Sequence, residues 1–190
     1  MSSRPPLVDP HVHLWDLKHI RYPWLTGPFS DDGPNGSVEP IAVDYPLDAY
    51  LADAQQWDVR GTVHIDAGAD PADALKETQW LQAMADKRGM PNGIVAFAAL
   101  DDPQLETLLS PHVAHANVRG IPPIINRPPD PARSYSPSAV TTTSTSMRGL
   151  GLPGQLDLRL PLPSHPRQFS HPPDLVANPP SSPLTLHPPG

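Results

Sequence analysis

Apolar and polar residues change places at short, regular intervals over the first 121 residues. Leu7-Val8 runs into Asp9-Pro10, and then His11, Val12, His13 and Leu14 alternate. A period of two predicts a first strand over 7–14. A loop rich in Gly, Pro and Asp follows over 26–46. Leu47, Tyr50, Leu51, Ala54 and Trp57 then recur at helical spacing. Gly61 to Ala67 predicts a second strand. Asp70-Pro71 supplies an N-cap and a first-turn proline. The helix it opens carries Leu75, Thr78, Leu81 and Ala85 on one stripe and stops at Gly89. Gly93 to Leu100 is almost continuously apolar, as a strand buried on both faces requires. Asp102-Pro103 opens a third helix through Leu105, Leu108 and Leu109, which Pro111 interrupts or ends. Val118 to Ile121 begins a fourth strand. Strands are therefore expected near 7–14, 60–67, 93–100 and 118–121, with helices between them.

Strand, helix, strand at this spacing implies βαβ units with right-handed crossovers and a parallel sheet. Four such units make half of a (β/α)8 barrel or the core of a smaller doubly wound sheet, and the pattern fits both. No Gly-x-Gly-x-x-Gly or P-loop follows any strand, which argues against a nucleotide binder. A complete barrel takes ~250 residues, so 190 residues are expected to supply only part of one.

Proline divides the chain. Residues 1–121 hold 12 prolines and residues 122–190 hold 17. Pro122-Pro123 falls where the fourth strand should continue, and Thr141 to Ser146 is a low-complexity Thr/Ser run. Proline removes a ladder donor from a strand and costs ~3 kcal/mol inside a helix. Two regions are therefore expected: 1–126, a parallel-sheet region that fits half a barrel or a doubly wound core, and 127–190, a Pro-rich, extended or disordered continuation.

There is no cysteine, hence neither a disulfide framework nor a thiolate metal site. The net charge of −7 comes without a basic patch, which excludes nucleic acid as a natural partner. Met1 to Pro6 lacks the apolar core of a signal peptide, and no apolar run approaches a membrane span. The expectation is a cytoplasmic protein acting on a small molecule.

His11 and His13 are the candidate chemistry. Two residues apart on a strand, they project from one face. Side by side they can bind a divalent metal or hold a polar substrate group. The surrounding run, Val8-Asp-Pro-His-Val-His-Leu-Trp-Asp16 followed by Arg21-Tyr-Pro-Trp-Leu25, resembles the opening of the amidohydrolase-related family, and within it the lactonase-like branch. That resemblance implies an incomplete (β/α)8 barrel and hydrolysis of a lactone of a small carboxylated or sugar-derived acid. It implies His11 and His13 as catalytic residues and ligands of one Zn²⁺ or Mn²⁺ ion, or as a metal-independent pair. It also implies His64 and Arg119 as substrate-binding residues and a carboxylate as general base. His64 reads equally well as a core histidine, Asp66 as the cap of the loop after its strand, and Trp15 and Trp24 as loop packing. The remaining histidines, including His19, His112 and His187, show no ligand spacing.

The resemblance weakens after residue 121. Val118-Arg-Gly-Ile-Pro-Pro-Ile-Ile-Asn126 looks like the family's Val-Arg-Gly-Ile-Arg-Gln-Ile with two prolines substituted. Arg148 to Leu152 and Leu156 to Arg159 look like the helix and strand that follow, and Leu184 to Gly190 like a later strand with Pro188 in place of a histidine. This reads as a damaged copy of a barrel segment with impaired activity. A non-enzymatic reading competes with it: Pro163-Ser-His-Pro-Arg167 is a PxxP segment of the kind SH3 and WW domains accept. A part-barrel also leaves an edge and the face around Val95 uncovered, which favours self-association.

Overall fold

In a computed structural model the described residues are 4–32, 36–100, 102–121, 155–163 and 184–187. Strands β1 (Pro6–Val12), β2 (Asp58–Ile65), β3 (Gly93–Val95) and β4 (Val118–Gly120) form one sheet in that order. Every neighbouring pair is parallel. The crossovers carry helices α1 (Leu47–Asp53), α2 (Ala74–Arg88) and α3 (Leu105–Val113). The predicted βαβ succession is present, with β1 and β3 shorter than their apolar runs.

Register explains which side chains are buried. Val12 pairs with His64, His64 with Ile94, and Ile94 with Val118. Partners in a parallel ladder share a face. All four are buried, at 4%, 0%, 0% and 6% exposure. The apolar members of this row, Val12, Ile94 and Val118, belong with Leu81 of α2 and Leu105 and Leu109 of α3 to the main core. The helices therefore cover one face, and His11 and His13, flanking Val12, belong to the other. Val95, expected to be uncovered, is 6% exposed. Exposure falls instead on the β1 edge, where Val8 is 61% exposed.

The helix termini follow from the sequence. The Asp70 carboxylate accepts the Ala72 N–H at 2.9 Å, and Pro71 starts the 3-10 turn that leads into α2. Lys87 and Arg88 occupy the last turn, where cations complement the helix dipole. Gly89 ends it at φ 74°, a left-handed conformation that costs a residue with a Cβ. Its N–H returns to the Ala85 carbonyl at 2.8 Å. Two expectations fail locally. Pro111 neither ends nor interrupts α3, which continues to Val113. It lies in the last turn, so only the bond to the Thr107 carbonyl is forfeited, and burial of Leu105, Leu109 and His112 offsets that loss. Trp57 falls beyond α1 and is 44% exposed.

The region expected to lack regular structure carries some. Strands β5 (Leu160–Pro163) and β6 (Leu184–His187) pair in parallel. A single bridge between Gly120 and Arg159 joins them to β4. The Ile121 N–H donates to the Arg159 carbonyl at 3.0 Å, and the Arg159 N–H to the Arg119 carbonyl at 2.8 Å. Leu158, 3% exposed, enters the main core. Residues 122–154 and 164–183, with Pro188, lie outside the described residues, as does most of the PxxP segment. Among the described residues no helix is long and apolar enough to cross a membrane.

Leu81 sits at the centre of the α2–sheet contact at 0% exposure. Leu81→Ala is expected to cost ~2–5 kcal/mol of stability, read as a lowered urea midpoint with unchanged m-value.

Candidate functional site

Strand β1 delivers His11 and His13 to the carboxyl end of the sheet, where parallel α/β folds place their chemistry. The burial pattern over 11–14 alternates, with both histidines exposed and Val12 and Leu14 buried. The two rings meet edge to face with centroids 4.9 Å apart. Their Nε2 atoms lie 3.0 Å from one another. The His13 Nδ1 is hydrogen-bonded to the Ile65 carbonyl at 2.9 Å. A carbonyl only accepts, so Nδ1 carries the proton and the Nε2 lone pair of His13 faces His11. Asp9 holds the backbone beneath: its Oδ1 accepts the His11 N–H at 3.0 Å and its Oδ2 the Tyr50 hydroxyl at 2.9 Å.

Packing around His13 and the neighbouring His64 and His11 rings lower its pKa to about 4; the Ile65 carbonyl and Glu77 oppose this. The ring is accessible to water, which screens the like charges.

His64 takes a different position. It is fully buried, and its Nδ1 accepts the Leu14 N–H at 3.2 Å. Its Nε2 lies 3.8 Å from Glu77 Oε2, within ion-pair range but beyond a hydrogen bond, and has no hydrogen-bond partner. The His13 and His64 ring centroids are 6.4 Å apart. The three imidazoles therefore do not form one ligand set. Among the described residues no group of three or more His, Asp or Glu is placed to hold a metal ion. His64, expected among the substrate-binding residues, lies in a buried layer instead of on the exposed face that carries His11 and His13. Arg119 is the second residue of β4 and exposed. Its Nη1 donates to the carbonyls of Ala116, in the preceding turn, and Val118. The guanidinium is thus turned toward the amino end of the strand and not alongside the histidine pair.

Behind the rim lies a buried polar layer that the sequence pattern did not reveal. Glu77 of α2 is 1% exposed and accepts the Tyr22 hydroxyl at 2.9 Å. Burial and the Glu77 charge push the Tyr22 phenol well above the usual range. Thr78 bonds His112 Nδ1 at 2.8 Å, so His112 is a core residue and not a surface one. The missed signal is phase: position 77 shares the stripe of Leu81 and Ala85, and a carboxylate there is either buried or misplaced. Arg21 ties the loop to the start of α2 through Asp73, at 2.7 Å from Nε and 3.1 Å from its own N–H. With Lys76 it holds the Asp73 carboxyl far below the usual range.

Asp66 follows β2 and caps the turn, accepting the Gly68 N–H at 2.9 Å. Gly68 has φ 74°, and a Cβ there would stand 3.0 Å from the Trp24 indole nitrogen. Trp24 donates to the Ala67 carbonyl at 2.7 Å and packs edge to face on Trp15. Burial, then the Glu77 charge, raise the Asp66 pKa to about 7, against the Gly68 N–H.

No family model matches the sequence. Over 133 residues the chain is 41% identical to the uncharacterized protein y4mH of Sinorhizobium fredii, an alignment covering 68% of this chain and 43% of that protein. Its fold is similar to that of amidohydrolase 2 from Bifidobacterium longum subsp. infantis, with TM-score 0.63 and 17% identity over 94% of this chain and 59% of that one. It is also similar to an amidohydrolase from Burkholderia multivorans in two crystal forms. The form with bound HEPES gives TM-score 0.58 and 22% identity over 90% of this chain and 51% of that one. The form with bound zinc gives 0.56 and 23% over 90% and 52%. The fold is therefore similar to that of these amidohydrolases, an α/β fold built on a parallel sheet. The chain spans less than half the length of the curated relative and between 51% and 59% of these solved chains.

The raised pKa of Asp66 has a sign. A carboxyl whose folded pKa lies above its unfolded value of ~3.9 stabilises the fold fully below that value, and the contribution is lost as pH rises through 7. The wild-type protein is expected to lose stability relative to Asp66→Asn between pH 4 and pH 8. Urea midpoints of the two proteins across that range check it. The lowered pKa of His13 acts with the opposite sign between about 4 and 6.5, but is common to both proteins and cancels in the comparison.

Proposed function

We propose that this chain carries part of the site of an amidohydrolase-type hydrolase that opens a lactone of a small carboxylated or sugar-derived acid. The observation that carries the reading is the His11–His13 pair at the carboxyl end of β1, with its Nε2 atoms converging to 3.0 Å. Two nitrogens bound at ~2.0–2.1 Å to a tetrahedral ion lie ~3.3 Å apart, so the pair fits as two ligands of one divalent cation. Such an ion, when bound, would polarise the carbonyl to be attacked. A zinc-bound neighbour of the same fold, the Burkholderia multivorans amidohydrolase, supports this assignment.

The chain's own residues set the geometry. The Ile65 carbonyl keeps the proton of His13 on Nδ1 and so keeps Nε2 available. Asp9 fixes the main chain at His11. Arg119 is assigned to a substrate carboxylate, since it lies on the same sheet face as the histidines. Reaching one requires the guanidinium to swing from the carbonyls of Ala116 and Val118. Asp66, with its raised pKa at the end of β2, is the titratable carboxyl nearest in sequence to the His13 anchor and is assigned as the acid–base group.

Zn²⁺ titration by calorimetry and a panel of sugar-derived and aromatic lactones test the reading together. The wild-type chain should bind about one Zn²⁺ weakly, and His11→Ala and His13→Ala should each weaken binding at least ~10-fold. Any lactone turnover, however slow, should disappear in the double variant. Equal binding and turnover in wild type and double variant would refute it.

A further inference from the structure

We infer that His64, faced from behind by the Glu77 carboxylate that Tyr22 anchors, is a positioning residue that sets the ring of His13; this rests on the His11–His13 site proposed above.

Two consecutive residues of β2 hold the His13–Leu14 segment at two points. The His64 imidazole accepts the N–H of Leu14, the residue after His13, at 3.2 Å. The carbonyl of Ile65, the residue after His64, accepts the Nδ1–H of His13 at 2.9 Å. β1 ends at Val12, whose ladder partner is His64 itself. Beyond that point a side-chain nitrogen takes the place of a ladder carbonyl for the N–H of Leu14. Leu14 is 0% exposed, so without it a buried donor would be left unsatisfied. The substitution frees β1 from the straight register. The pairing between Asp9 and Val12 is already irregular, and His13 turns its ring onto the main chain of its neighbour.

The tautomer follows from the same geometry. Nδ1 of His64 accepts, so Nε2 carries the hydrogen. It faces Glu77 Oε2 at 3.8 Å, and Tyr22 fixes the other carboxylate oxygen at 2.9 Å. A wrong tautomer would turn an N–H toward the N–H of Leu14. The Glu77 carboxylate makes that arrangement unfavourable by attracting the hydrogen to Nε2. An apolar pair would fill this β2–α2 space at lower cost, because a buried carboxylate with a single close hydrogen bond is expensive. Among the hydrogen bonds of the described residues, the His64–Leu14 bond links this layer to the end of β1.

The experiment compares His64→Leu, His64→Asn, Glu77→Leu and Glu77→Gln with wild type. Asn places an oxygen where Nδ1 stood and should preserve the bond to Leu14; Leu removes it. In ¹⁵N-imidazole NMR of the metal-free protein, His13 should remain an Nδ1–H tautomer in wild type and His64→Asn. It should become a tautomer mixture in His64→Leu, with Glu77→Leu between and Glu77→Gln near wild type. Zn²⁺ affinity should fall ~10–100-fold in His64→Leu and recover to within ~3-fold in His64→Asn. An unchanged His13 tautomer in a folded His64→Leu protein overturns the inference. So does failure of both His64 variants to unfold cooperatively, which would make His64 a core residue only. Absence of Zn²⁺ binding by wild type would defeat the metal reading above, while the tautomer measurement would still decide this one.

Discussion

One row of the parallel ladder, Val12–His64–Ile94–Val118, divides the sheet into a face that folds and a face that can react. Its members point at α2 and α3, and their burial against Leu81 and Leu109 supplies the apolar area that drives collapse. Strand geometry then leaves the neighbours of Val12 no choice of side. His11 and His13 face away from the core because Val12 and Leu14 face into it. A one-residue slip of β1 would bury two imidazoles and expose two aliphatic side chains, so the register that stabilises the fold also presents the site.

That row includes one residue that hydrophobic economy would not select. His64 brings polar nitrogen into the centre of the core, and α2 answers with Glu77 and Thr78 instead of aliphatic residues. The resulting layer is incompletely satisfied: His64 Nε2 and Thr62 Oγ1 lack hydrogen-bond partners among the described residues. Each such atom costs ~1–3 kcal/mol. A buried layer of this kind weakens the domain unless it returns something elsewhere. What it touches elsewhere is the end of β1, through Leu14, and the turn after β2, through the charge that Glu77 exerts on Asp66.

Much of the fold was legible because it rests on periodicity. The alternation over 11–14, the cap at Asp70-Pro71 and the stop at Gly89 are local signals, and local contacts answer them. The His11–His13 pairing needed only the period of two. What escaped depends on partners distant in sequence. Glu77 is buried by Tyr22 and His64, 55 and 13 positions away in the chain. His112 likewise has its partner, Thr78, 34 positions earlier. For Arg119 the resemblance implies a substrate-binding role, but its guanidinium lies on the backbone carbonyls of Ala116 and Val118, a placement set by local contacts that the motif does not carry. Prolines misled in the other direction. Pro161 and Pro163 lie within β5, where each withholds a donor but leaves its carbonyl to the ladder.

The same property of proline bears on the edge of the sheet. In the described sheet β1 has one neighbour, β2, so its other side presents main-chain groups without a strand partner. With Val8 61% exposed and Trp57 44% exposed beside it, such an edge is a template for adventitious strand addition. Yet Pro6 and Pro10 remove two donors from these seven residues, and the register of β1 shifts twice along its length. Prolines and bulges are the devices by which natural edge strands resist pairing with their own kind. A shallow groove of about 270 Å³ runs along this edge, with Leu7, Asp9, Tyr45, Tyr50 and Trp57 among its lining residues. Its floor is tied by the Tyr50–Asp9 and Tyr45–Asp53 hydrogen bonds. Among the described residues, the open side of β1 therefore combines exposed side-chain surface with a main chain from which two donors are missing. Side chains thus contribute a larger share of what that side presents than in a strand with all its donors.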